Sequence, residues 1–220
     1  MQNDTLDKAT PLSHNKQKGM CNSKRDVIVV GDKGTKTKQL IIEKSYELFA
    51  KHGFKNISMQ DICDATRLSR GGLYRHYDNV ELIFAEVLEH LNLRQKNIFG
   101  DKMEEGASAK TILEETLVRM EEEMQDAASS LSFAIYEFSK ECSEDYIKRI
   151  NLHAKKYWKE LIEYGIERGE FKTVDVSEAV DVIMYSYQGV RMFSQIINLE
   201  KNVAKNITNH IRNFLEVDYE

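Results

Sequence analysis

The chain has 220 residues, of which 41% are hydrophobic and 30% charged, and a formal net charge of −5. No apolar stretch approaches the roughly 18 residues of a membrane-spanning helix, and the first 35 residues lack the apolar centre of a signal peptide. Three widely separated cysteines, Cys21, Cys63 and Cys142, form no Cys-x-x-Cys pair, which argues against a disulfide framework and a zinc site and points to a reducing cytoplasm.

Residues 1–35 are polar, mix lysine with aspartate and show no helical period, so they read as a flexible tail. The "VIVV" run at 27–30 is too short and isolated to build a sheet. A basic arm through Lys16, Lys18, Lys24, Arg25 and Lys33 is the second reading of this tail. Pro11 is the only proline, so nothing after it forbids long helices.

Helical periodicity starts near Thr37, with Ile41, Ile42, Ser45, Leu48 and Phe49 on one stripe, and Gly53 stops that helix. Ser58 caps a second helix over 59–66, with Asp61 three residues on as a capping-box partner. A turn at Arg67 and Leu68 leads to Ser69, which caps a short third helix carrying "SRGGLYRHY". Asp78 or Asn79 caps a fourth, running to about Phe99. Longer helices come after it over about 108–126, 131–142 and 144–168, the last stopped by Gly169. Ser177 caps a penultimate helix reaching about Asn198, and a final helix covers about 201–217.

Charge is unevenly spread. Residues 1–80 carry 14 Lys and Arg against 9 Asp and Glu, whereas residues 81–220 carry 17 against 27. A basic first third on an acidic remainder suggests that only the first part meets a polyanion.

Two short helices joined by about three residues make a helix-turn-helix, whose second helix enters the major groove amino-terminal end first. Adjacent glycines cost such a helix roughly 1 kcal/mol each against alanine. Close approach of the backbone to DNA gives Gly71 and Gly72 a purpose. Ser58 and Ser69 stand at helix amino termini that favour phosphate. Arg70 is placed to fork onto guanine, and Tyr74 and His76 offer polar tips to phosphate. Leu73 and Tyr77 turn inward or to the rim.

The ungapped stretch "IIEKSYELFAKHGFKNISMQDICDATRLSRGGLYRHYDNVELIF", residues 41–84, resembles the amino-terminal domain of the TetR family of bacterial transcriptional regulators. The resemblance rests on Leu-Phe and Gly-Phe around the first helix, Ser58, Asp61-Ile62, Ser69, Gly71, Leu73-Tyr74 and His76-Tyr77. It implies an all-α fold, with a helix-turn-helix DNA-binding domain at 36–82 and a helical ligand-binding and dimerisation domain at 83–220. Gln60, Arg67 and Tyr77 join the expected DNA surface. Three positions depart from the family: Arg67 replaces a turn glycine, Gly72 a threonine, serine or alanine, and Val80 a phosphate-contacting lysine. Arg67 or Arg75 is the expected substitute for that charge.

Beyond residue 90 the resemblance lies in the helical layout. It implies a homodimer packed through the last two helices, where Val182, Val190, Phe193, Ile197, Ile207, Ile211 and Phe214 are the expected contacts. Their alternative role is the monomer's own core. It also implies a small-molecule inducer pocket, with Met120, Met124, Phe133, Tyr136, Glu137, Trp158, Met184, Tyr187, Gln188 and Met192 as expected lining. Aromatics and methionines at helical spacing also suit plain core. Among these, Glu137 and Gln188 are the groups that would orient a ligand if buried.

No GxSxG, HExxH, P-loop or GxGxxG motif is present, so no enzyme and no cofactor is expected. The expected function is a cytoplasmic, dimeric, ligand-responsive regulator, a repressor in most of the family, that binds a palindromic duplex. The alternative is a helical adaptor that has lost DNA binding, for which Val80 and the acidic body speak.

Overall fold

The structure, a computed structural model, describes residues 32–126 and 129–216. Most of the expected tail, with Lys16, Lys18, Lys24, Arg25 and the run at 27–30, lies outside the described residues. Every named element among them is helical, and one isolated bridge joins Phe171 to Glu216.

The first helix, α1, spans Asp32–His52 and so begins five residues before Thr37. Gly53 ends it at φ +78°, donating its N–H to the Phe49 carbonyl at 3.0 Å. The helices α2 (Met59–Thr66) and α3 (Arg70–Tyr74) come next. Of the two candidate caps for α4 (Val80–Lys96), Asn79 acts: its Oδ1 accepts the Leu82 N–H at 2.9 Å. A π-helical turn at Asn97–Asp101 and the one-turn α5 (Lys102–Glu104) then redirect the chain.

The body consists of α6 (Ala109–Gln125), α7 (Ser132–Phe138), α8 (Glu144–Glu167), α9 (Val176–Phe193) and α10 (Val203–Leu215). Two expected boundaries are corrected at α9. Its cap is Asp175, whose carboxylate accepts the Glu178 N–H at 3.0 Å, so Ser177 lies inside the first turn. It also stops at Phe193, because the Gln195 and Ile196 N–H groups turn back to carbonyls three residues earlier, at 3.2 and 2.9 Å. Gly169 ends α8 as expected, at φ +67°.

Two cores organise the chain. The first gathers Ile41, Phe49, Phe54, Ile62, Leu73, Ile83 and Phe84 with Leu131, Ala134, Phe138 and Tyr146. Phe49 and Phe84 meet edge to face at 4.7 Å, and Phe138 lies 4.9 Å from Phe84 and 5.0 Å from Phe54. Burial of each such ring stabilises by about 1.5–3 kcal/mol, so α7 and the start of α8 are cemented to the helices of residues 41–84. The core around the first three helices therefore does not stop at residue 82. The second core holds Phe99, Ile112, Leu113, Leu117, Trp158, Leu161, Ile183 and Ile211, among others. The helix α8 ties the two together, with Tyr146 in the first core and Trp158, Leu161 and Ile162 in the second, while α4 belongs to the first core and leads into the π-helical turn whose Phe99 enters the second.

Candidate nucleic-acid interface

The helices α2 and α3 form around local signals. The Ser58 hydroxyl accepts the Asp61 N–H at 3.3 Å and donates to Asp61 Oδ2 at 2.5 Å, while Asp61 Oδ2 takes the Ser58 N–H at 2.8 Å. This capping box closes the α2 amino terminus reciprocally. These hydrogen bonds hold the Asp61 carboxyl below the usual carboxylate range. Ser69 Oγ accepts the Gly72 N–H at 3.1 Å and caps α3. Both serines thus spend their oxygen on their own helix, and the Asp61 carboxylate occupies the end of α2 where the sequence suggested phosphate.

Arg67 closes α2 in the left-handed conformation, φ 58° and ψ 26°, and among the described residues it is the one non-glycine with positive φ. The turn thus keeps the geometry that a glycine would favour, with a guanidinium in its place.

Two buried side chains anchor α3 and the turn after it. Leu73 is fully buried in the first core, and Tyr77 is 5% exposed, with the Lys38 ammonium 5.5 Å from its ring centre. Tyr77 therefore belongs to the core rather than to a DNA-facing surface. This is a correction whose reason is helical: Leu73 and Tyr77, four apart, fall on the inward side. Val80 likewise packs against the first core, so its position carries packing in place of charge.

The opposite side of α3 faces solvent. Arg70, Gly71, Tyr74 and Arg75 are exposed, with Arg67 and Ser69 beside them. Tyr74 leaves 49% of its surface uncovered. His76 is half-buried; burial first, then the nearby Arg75 and Lys38 charges, push its imidazole below the ordinary histidine value. Arg70 Nε donates to Gln60 Oε1 at 2.9 Å, and Gln60 Nε2 donates to Asp64 Oδ1 at 2.8 Å, a bridge between α2 and α3 that the sequence did not signal.

The two glycines differ. A Cβ built on Gly71 meets nothing within 4 Å, whereas one on Gly72 would lie 3.2 Å from the capping Ser69 oxygen. The fold itself asks for little space at 71, while at 72 the cap already crowds a side chain.

The residues expected around an inducer are dispersed. Met120, Met124, Trp158, Met184 and Tyr187 are buried in the second core, and Trp158 meets Phe99 edge to face at 5.4 Å. Burial pushes the Tyr187 phenol upward; its hydroxyl donates to the Glu123 carboxylate and accepts from Arg191 Nη1 at 2.7 Å. Met192 and Gln188 are half-buried, and Gln188 accepts from the Ser132 hydroxyl at 3.2 Å. Phe133 and Tyr136 stand exposed on α7. Glu137 instead accepts the Phe54 and Lys55 N–H groups, at 2.7 and 3.1 Å. None of these ten residues lines either of two open clefts. One, of about 670 Å³, lies between His90, Arg94, Ile98 and Lys102; the other, of about 530 Å³, lies between Phe54, Met59, Tyr74 and Glu81.

The expected dimer residues also divide. Val190 and Ile211 are buried in the second core and Ile207 packs against it, so these three serve the monomer. Val182, Phe193, Ile197 and Phe214 are exposed, and Tyr185 and Ile196 extend the same apolar stripe along α9 and just beyond.

Residues 41–87 match the family described as bacterial regulatory proteins, tetR family. Over 158 residues the chain is 30% identical to the HTH-type transcriptional repressor KstR2 of Rhodococcus jostii (strain RHA1), covering 68% of this chain and 74% of that protein. It is 26% identical over 140 residues to the uncharacterised HTH-type transcriptional regulator YfiR of Bacillus subtilis (strain 168), covering 61% and 67% of the two chains. Its fold superposes on a TetR transcription regulator from Haloarcula marismortui with a TM-score of 0.63 at 19% identity, over 82% of this chain and 96% of that one. The ketosteroid transcriptional regulator KstR2 of Mycobacterium tuberculosis gives a TM-score of 0.56 at 19% identity, over 82% and 95%.

Proposed function

The chain belongs to the TetR family of bacterial transcriptional regulators, and from that premise we propose that it is a cytoplasmic homodimeric repressor that binds a palindromic duplex and is released by a small molecule. The observation that carries the DNA-binding part is the split of α3. Leu73 and Tyr77 lock it to the core while Arg70, Gly71 and Tyr74 stay in solvent. A short helix pinned from behind with a basic, small-residue front suits insertion into a major groove.

Dimerisation rests on the exposed stripe of Val182, Tyr185, Phe193 and Ile196, and on Phe214, which is exposed on α10. One recognition helix reads too few base pairs to select a genomic site, and a twofold axis doubles the contacts. The effector part rests on the sulfur- and aromatic-rich second core, where rearrangement around Met120, Met124, Trp158 and Met184 would open room for an apolar molecule.

Selection of duplexes by the full chain from a random library tests this reading. The expected product is an inverted repeat with half-sites about one helical turn or a multiple apart. Its affinity should fall steeply with salt as phosphate contacts release counterions. Enrichment of no duplex, or a salt-independent affinity, would favour the adaptor reading instead.

A further inference from the structure

The Arg70 guanidinium is not a free arm. Its Nε is held at 2.9 Å by Gln60 Oε1, and the Gln60 amide is held at 2.8 Å by Asp64 Oδ1. Arginine only donates and an ionised aspartate only accepts, so the glutamine between them has one satisfactory orientation. Turned over, its NH2 would face the guanidinium N–H and its oxygen would face the carboxylate, losing both bonds. Asp64, one helical turn from Gln60 on α2, therefore sets which end of the amide Arg70 meets.

The consequence falls on what Arg70 has left. With Nε engaged, the two terminal amino groups remain as an end-on fork, the geometry that donates to two acceptors on one guanine edge. We infer that Asp64 and Gln60 are positioning residues for sequence readout, aiming the terminal fork of Arg70 at one base pair rather than contacting DNA for themselves. This rests on the DNA-binding reading above. It assigns Gln60 a different task from a direct contact, and it gives a purpose to a carboxylate that would otherwise only repel phosphate beside a DNA-facing helix. Fixing the arm before contact also removes part of the side-chain entropy that ordering it would cost on binding.

The test compares Asp64→Ala with Asp64→Asn in the full chain. Both remove the negative charge, so both alter phosphate attraction alike, but only asparagine keeps an oxygen for the Gln60 amide. Arg70→Ala first identifies the base pair that Arg70 reads, as the position where discrimination collapses. At that pair, Asp64→Ala should lose roughly three- to tenfold of the parent's discrimination, the scale of one hydrogen bond. Asp64→Asn should stay within about twofold, and Asp64→Ala should add nothing in the Arg70→Ala background. Without DNA, the Nε–Hε group of Arg70 should show a rigid heteronuclear NOE in the parent and in Asp64→Asn, and a mobile one in Asp64→Ala. A parent that selects a duplex, with Asp64→Ala reading the Arg70 pair as sharply as the parent, would overturn the positioning role alone. Equal losses in the alanine and asparagine variants, or a loss that persists without Arg70, would overturn it too. A parent that selects no duplex would sink the DNA-binding reading and this inference with it.

Discussion

The Glu137 carboxylate accepts the Phe54 N–H at 2.7 Å, joining α7 to the loop after α1 across 83 residues of sequence. The same oxygen takes the Lys55 N–H at 3.1 Å. Gly53, at φ +78°, lets the chain turn there, and a Cβ at that position would lie 2.6 Å from Glu137 Oε2. The acid thus fixes the α1–α2 loop against the body from outside the helix-turn-helix. Replacing Glu137 with alanine leaves two backbone donors without this partner and is expected to lower unfolding stability by about 1–3 kcal/mol. Glu137→Gln, which keeps an accepting oxygen, should lose less. Denaturant unfolding followed by circular dichroism measures both, and an alanine variant as stable as the parent would show that the contact adds nothing.

Arg67 holds a left-handed conformation that a side chain disfavours. Glycine adopts it freely, so Arg67→Gly is expected to raise stability by about 1 kcal/mol. The same change deletes a cation from the DNA-facing side, so duplex affinity should drop as stability rises. Opposite movement of the two quantities is the signature. A parallel fall in both would mean that the Arg67 side chain supports the turn.

Gly71 and Gly72 should separate. Gly71→Ala enters open space and should leave stability unchanged or raise it by up to about 1 kcal/mol through helix propensity. Gly72→Ala pushes on the Ser69 cap and should gain less or destabilise. If the backbone approaches the groove at 71, Gly71→Val weakens duplex binding strongly while the fold stays intact. Parental affinity in Gly71→Val would remove close approach as the reason for that glycine.

Phe193 and Ile211 are alike in sequence as apolar positions on terminal helices, but Phe193 is 56% exposed and Ile211 only 2%. Phe193→Asp is therefore expected to give a folded monomer by sedimentation. Ile211→Asp buries a charge in the second core and should unfold the body, at a cost well above roughly 3 kcal/mol. A Phe193→Asp variant that still sediments at twice the chain mass would move the interface away from the α9 stripe.

The sequence alone determined what depends on neighbours within a turn or two. The Ser58–Asp61 box, the Ser69 cap, the Gly53 and Gly169 stops and the inward face of Leu73 are all relations between residues three or four apart. The capping and periodicity that create them act locally. The ungapped run at 41–84 made the helix-turn-helix legible for the same reason. Tertiary structure decided the rest. Whether an apolar residue on α9 or α10 faces its own core or solvent depends on which neighbour the helix meets, so Val190 and Ile211 went inward while Phe193 stayed out. Asp175 overtook Ser177 as a cap because either residue type accepts the hydrogen bond, and only the path of the incoming chain chooses. Glu137 on α7 reaches Phe54, and Gln60 reaches Arg70 across a turn between helices. Such pairs are brought together by packing two helices, an effect that no local period in the sequence encodes.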